Sequence, residues 1–182
     1  IALTEHQPAP TVAEVAPGLL AFGWSEFNSD GLIKAHSALV RATVVRGSAG
    51  SDSLTVESAD HVTIAGGQGN DRMIAGAGND VLFGGAGADT VTGGGGADAF
   101  MGTAADLNGD IITDLGAQDR IVIRDASLEN FAFTVSGRTL SYTGGSLTLS
   151  APLPNTLVAS AAPEGGVQLA VSTAPPTLAR LV

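Results

Sequence analysis

Between residues 63 and 101 a bulky apolar side chain returns every nine positions, at Ile64, Met73, Leu82, Val91 and Phe100. Repetition on that scale sets the architecture ahead of any local propensity. Divided on this period, the chain reads GGQGNDRMI (66–74), AGAGNDVLF (75–83), GGAGADTVT (84–92) and GGGGADAFM (93–101). Each block predicts a six-residue turn followed by a three-residue strand. Side chains alternate along a strand, so the central apolar residue points one way and its two neighbours the other. One inward residue per block builds a narrow core once successive strands stack.

The flanking regions have other textures. Residues 1–45 are mixed, with Pro8, Pro10 and Pro17 early and a turn signal at Asn28-Ser29-Asp30-Gly31. The stretch LIKAHSALVRATVV (32–45) fits a short helix or a pair of strands, and periodicity does not separate the two. Trp24 and Phe22 are expected to cover the first coil. Residues 102–150 alternate short β-rich runs (IVI, FAFTV, TLSY, SLTLS) with turns at Ser136-Gly137 and Gly144-Gly145, the texture of antiparallel strands. Residues 151–182 are rich in Ala, Pro, Ser and Thr and end in LARLV, which predicts a loosely ordered tail. Four regions follow: a covering segment (1–45), the repeats (46–101), a β cap (102–150) and the tail (151–182).

Composition sharpens this picture. Only 4% of the 182 residues are aromatic and 25 are Gly, which suits a thin repetitive β structure better than a helical bundle. Eighteen acidic against eight basic residues give a net charge of −10, so nucleic acid is not an expected partner and a cation is. With no cysteine there are neither disulfides nor thiolate metal sites. No apolar run reaches the ~20 residues that cross a bilayer, so no transmembrane segment is expected. The N-terminus does not resemble a secretory signal peptide. A start at Ile1 suggests a fragment, a processed product or an unusual numbering.

The chemistry lies in the turns. Aspartates recur at Asp71, Asp80, Asp89 and Asp98, the sixth position of each block. Stacked strands lie ~4.8 Å apart, and bare carboxylates at that spacing repel appreciably even in a fairly high dielectric. A hard divalent cation between the turns removes the conflict. Ca²⁺ accepts six or more oxygen ligands in flexible geometry, which suits carboxylates and carbonyls together better than Mg²⁺ does. Glycine supplies the φ > 0 turns that aim carbonyls at a common point. A flexible linker would not keep Asp at position six and an apolar residue at position eight through four blocks. A phosphate loop is excluded by the absence of GxGxxG and GxxxxGK[ST] from these blocks.

The blocks resemble GGxGxDxUx, the nonapeptide of the RTX (repeats-in-toxin) proteins. That resemblance implies an all-β fold: a parallel β-roll, a right-handed calcium-binding solenoid, followed by an antiparallel β cap. One coil takes two blocks, so blocks one and three stack on one edge and blocks two and four on the other. The family's ligand scheme implies one Ca²⁺ held by Gly67, Gly69, Asp71, Gly84, Ala86 and Asp89. It implies a second held by Gly76, Gly78, Asp80, Gly93, Gly95 and Asp98. Upstream, GSAGSDSLT (47–55) resembles a block shifted by one residue, and leaves open a third site of Ser48, Gly50, Asp52, Gly66, Gln68 and Asp71. Downstream, Asp110, Ile112, Asp114, Asp119 and Ile121 resemble the segment that closes the β-roll in serralysin-type secreted proteases. Whether those aspartates bind calcium stays open, and 106–110 reads as a solvated acidic loop.

Catalytic patterns are missing. HExxH and GxSxG do not occur, and His6, His36 and His61 are scattered. No enzyme is expected. The implied function is a secreted, calcium-folded β-roll module that is structural or supports secretion through a type I exporter. Alternatives are a self-associating cell-surface or matrix protein of S-layer or adhesin type, or a targeting module of a secreted enzyme. Residues 151–182 would carry the export signal.

Overall fold

The computed structural model describes residues 11–16, 19–27, 33–41, 44–56, 59–153 and 156–172, with side chains from residue 44 onward. The first three strands, β1 (Thr11–Ala16), β2 (Leu19–Phe27) and β3 (Ile33–Arg41), form an antiparallel sheet in the order β1-β2-β3. The described residues of the ambiguous stretch 32–45 are therefore strand: β3, and then β4 (Val44–Arg46), which belongs to a different sheet. Nine-residue β3 pairs along its whole length with β2. The side chains of Phe22 and Trp24 lie outside the described residues.

From β4 onward the chain winds between two parallel sheets. β4, β6 (Thr63–Gln68), β8 (Val81–Ala86), β10 (Ala99–Gly102) and β12 (Arg120–Ile123) stack in one. The other holds β5 (Ser53–Thr55), β7 (Arg72–Ile74), β9 (Thr90–Thr92) and β11 (Ile111–Ile112). Consecutive strands thus alternate between sheets, and each coil consumes two blocks. The register aligns the periodic residues: Val45, Ile64, Leu82, Phe100 and Ile121 pair in one column, and Leu54, Met73, Val91 and Ile112 in the other. All nine are buried and belong to one cluster between the sheets. The expected β-roll is what forms, because only strands spaced by two blocks bring like positions into register.

The C-terminal half closes both sheets. β13 (Phe133–Ser136), β14 (Thr139–Tyr142) and β15 (Gly145–Leu149) form an antiparallel meander, and β15 docks parallel to β11. Ile112 there pairs with Leu149, so the apolar column continues into the cap. The tail departs from expectation. Residues 157–171 are not loose: β16 (Leu157–Ala161) and β17 (Val167–Val171) form a hairpin that docks antiparallel on β12. Its alternate residues Val167, Leu169 and Val171 are buried, and Leu169 and Val171 belong to the same core. Period-two burial outweighs a composition that is otherwise polar and small. Likewise IVI (121–123) is a parallel strand of the roll on one side, antiparallel only toward β17.

Candidate metal centre

The four block aspartates lie in two columns, one on each edge of the roll. On the first edge the Asp52 amide donates to Asp71 Oδ1 (2.8 Å), the Asp71 amide to Asp89 Oδ1 (2.8 Å) and the Asp89 amide to Asp110 Oδ1 (2.8 Å). On the second edge the Val62 amide donates to Asp80 Oδ1 (2.9 Å), the Asp80 amide to Asp98 Oδ1 (2.8 Å) and the Asp98 amide to Asp119 Oδ1 (2.9 Å). Within the repeats each step spans 18 residues, one coil of two blocks. One carboxylate oxygen of each residue is therefore committed to backbone.

The other oxygen is not. Oδ2 of Asp71, Asp80, Asp89 and Asp98 is buried and has no hydrogen-bond partner. An unpartnered buried carboxylate oxygen costs free energy that nothing within the protein offsets. Burial pushes the carboxyls of Asp80 and Asp89 above the usual carboxylate range, and it pushes that of Asp98 to about 6. Four orphaned oxygens in glycine-lined turns are what a cation-binding scaffold leaves when its cation is not counted.

The glycines frame these oxygens. A β-carbon at Gly66 would collide with Asp71 Oδ2 and lie 2.6 Å from the Gly84 carbonyl oxygen, so both oxygens border one small space. A β-carbon at Gly93 would collide with Asp98 Oδ2. Positive φ recurs at the second and fourth residues of blocks one, three and four: Gly67, Gly69, Gly85, Gly87, Gly94 and Gly96. In block two, Gly76 and Gly78 do not take it. Two expected carbonyl ligands also accept amides: Ala86 from Gly69 (2.8 Å) and Gly76 from Gly95 (2.9 Å). Gly95, Gly96 and Asp98 of the block-four turn lie over Ala77, Gly78 and Asp80 of block two. Among the described residues no three His, Asp or Glu side chains converge, so any cation here must draw most of its ligands from carbonyls.

The upstream site is different. Asp52 stands in the first column, but its Oδ2 accepts from the Ser48 amide (2.6 Å) and the Ser48 hydroxyl (2.9 Å). Ser48 thus partners the oxygen that is left free at Asp71, Asp80, Asp89 and Asp98. Downstream, Asp110 and Asp119 extend the two columns after a coil of 21 residues. Both oxygens of Asp119 hold amides, from Asp98 and from Gly116 (2.7 Å). Asp114 clamps the block-four turn, its oxygens accepting from Gly93 (2.9 Å) and Gly94 (2.7 Å).

Sequence reasoning missed a side-chain bond on each edge at the fifth position of the blocks. The Ala88 amide donates to Asn70 Oδ1 (3.0 Å) and the Ala97 amide to Asn79 Oδ1 (2.8 Å). Asn at position five of blocks one and two, opposite Ala in blocks three and four, was the available signal.

The match to a family model agrees with this geometry. Residues 63–102 match the family model of the RTX calcium-binding nonapeptide repeat, in four copies. This segment therefore consists of calcium-binding repeats of the RTX type. Among solved structures, the chain is similar to the extracellular lipase LipA from Serratia marcescens, at 18% identity and a TM-score of 0.49. That likeness covers 81% of this chain and 30% of the lipase chain, so this chain spans less than a third of the lipase's length. No curated protein matches.

Proposed function

We propose that this chain is a non-catalytic β-roll module that folds when it meets calcium outside the cell. The observation that carries this reading is the set of four buried, unpartnered Oδ2 atoms at Asp71, Asp80, Asp89 and Asp98. One Ca²⁺ would be held by Gly67, Gly69, Asp71, Gly84, Ala86 and Asp89, and another by Gly76, Gly78, Asp80, Gly93, Gly95 and Asp98. The ion supplies positive charge between stacked carboxylates and cross-links successive coils. Its binding energy is then folding energy, because the unfolded chain has no such site. Circular dichroism tests this. We expect β structure at ~10⁻⁴–10⁻³ M calcium, the range of extracellular modules, and loss of most of it in chelator. A spectrum indifferent to chelation would falsify the reading.

Export through a type I exporter, directed by residues 151–182, belongs to the same proposal. Calcium is scarce in the cytosol, so sites of that affinity stay unfilled and the chain stays threadable until it emerges. No helix among the described residues is long and apolar enough to cross a membrane. Because 157–171 is part of the sheet, deleting the tail would damage the fold as well as any signal. Fusing 151–182 to an inert passenger separates the two, and a passenger retained in the cell counts against export. A second reading, self-association, draws support from the outermost cap strands β13 and β16, where Val135 and Val158 are exposed. A monomeric mass in calcium at high concentration would remove it.

A further inference from the structure

Of the chain's six asparagines, Asn108 alone is followed by glycine. That pair is chemically labile, because a glycine nitrogen with no β-carbon beside it is free to attack the preceding side-chain amide. The Gly109 nitrogen bonds to Asn108 Cγ, the Cγ–Nδ2 bond breaks, and ammonia leaves with the proton from that nitrogen. Water then opens the resulting succinimide at either carbonyl, giving aspartate or its β-linked isomer. Asn70 and Asn79 precede aspartates, whose side chains crowd the same attack.

In the folded chain both reacting groups are held on one residue of the cap. The Ser146 amide donates to Asn108 Oδ1 (2.9 Å), and the Ser146 carbonyl accepts the Gly109 amide (2.8 Å). These bonds continue the parallel pairing of β11 with β15. The turn is anchored again where the Tyr142 hydroxyl donates to the Ala104 carbonyl (3.1 Å). Asn108 and Gly109 are both exposed, so burial does not shield them from water. The Ser146 clasp does the shielding. While its bonds stand, the Gly109 nitrogen keeps its proton and cannot turn toward Cγ.

We propose that Asn108-Gly109 is a site of spontaneous deamidation, held in check by docking of the 104–109 turn on β15. The chain thereby carries a covalent record of the time it spends with this turn undocked. Both products add a negative charge within two residues of Asp106 and Asp110. The β-linked product also adds one backbone atom ahead of Gly109. That shifts the Gly109 amide out of register with Ser146, and with it Asp110, whose Oδ1 accepts the Asp89 amide (2.8 Å). The modification therefore strikes where the coil after the repeats joins the cap.

The test incubates the full chain at neutral pH in two samples, one folded at saturating calcium and one unfolded in guanidinium chloride. Peptide mass spectrometry follows deamidation at Asn108, and an isoaspartyl assay follows the β-linked product. We expect the unfolded chain to react at least about tenfold faster, because reaction in the folded chain requires local opening. Tyr142→Phe cuts the second anchor and should raise the folded-state rate roughly fivefold, about what loss of one hydrogen bond gives. Equal rates in the two samples, or no modification in either, overturn the proposal. A folded-state rate unchanged in Tyr142→Phe overturns docking as the brake. The proposal is independent of the calcium reading: a β spectrum indifferent to chelation removes that reading and leaves this one standing.

Discussion

Within 66–101 a coil takes 18 residues, and each of its turns is a glycine-rich segment around one aspartate with a free oxygen. Between Phe100 and Ile121 the coil takes 21 residues, and three of its four aspartates are spent on amides: Asp106 on Thr103, Asp114 on Gly93 and Gly94, Asp119 on Asp98 and Gly116. Beyond it the cap is held by Leu140, Leu147, Leu149 and Leu169, each almost fully buried. The same two sheets are thus stabilised in two ways. Where the turns are short, the protein leaves carboxylates for a cation. Where the coil has three residues to spare, Asp106, Asp114 and Asp119 accept backbone amides instead.

Breaking the metal-held half should have the largest effect. Asp89→Ala removes the acceptor of the Asp71 amide together with the charge for its edge. We expect the calcium midpoint for folding, followed by circular dichroism, to rise at least about tenfold, which is about 1.4 kcal/mol. Asp114→Ala, by contrast, should shift that midpoint far less.

Core truncation tests whether the apolar column is shared. Phe100→Ala empties the largest fully buried side chain of the roll and should cost about 3–5 kcal/mol in urea at saturating calcium. Leu147→Ala in the cap should cost about 2–5 kcal/mol under the same conditions. If Leu147→Ala lowers stability but leaves the calcium midpoint unchanged, the cap and the metal sites are separable.

A pair of glycine substitutions sharpens the contrast at the turns. Gly85 has φ +103°, and a β-carbon there would run into the Gly67 carbonyl, one of the expected ligands. Gly137 in the cap has φ +62° with nothing within 4 Å of such a carbon. Gly85→Ala should cost about 1–3 kcal/mol and weaken calcium binding, whereas Gly137→Ala should cost about 1 kcal/mol and leave binding alone.

The smallest effect expected is that of pH. Burial raises Asp98 to about 6 and Asp110 to about 7. A raised carboxyl favours the folded, metal-free roll below the ordinary value near 4, and that contribution is lost as pH rises through about 6 and then about 7. Calcium requires the ionised form, so its dependence runs the other way. Between pH 7.5 and 5.5 we expect calcium affinity to fall several-fold, while in chelator the residual β signal grows. Affinity unchanged across that range would contradict the burial of these carboxylates.

The nine-residue phase made the roll legible before any coordinate, since Ile64, Met73, Leu82, Val91 and Phe100 are the inward residues that the strand register pairs. The aspartate columns were equally legible within the repeats. Three features were not. The 21-residue coil hid the alignment of Asp110 and Asp119, because nothing in composition says where a loop rejoins a ladder. The hairpin 157–171 was masked by its Ala, Ser and Gly content, although VQLAV alternates as a half-buried strand should. The 32–45 stretch resolved to strand only through pairing with β2, a tertiary choice that local pattern does not contain.

Amide hydrogen exchange, resolved by peptide and compared between calcium and chelator, reads the central claim most directly. The account predicts that chelation removes most protection from the turns and strands of 66–101. Peptides from 139–149, whose strands are held by apolar packing, should change least. Equal protection of 66–101 with and without calcium would contradict it, because the roll would then be holding its buried carboxylates together unaided.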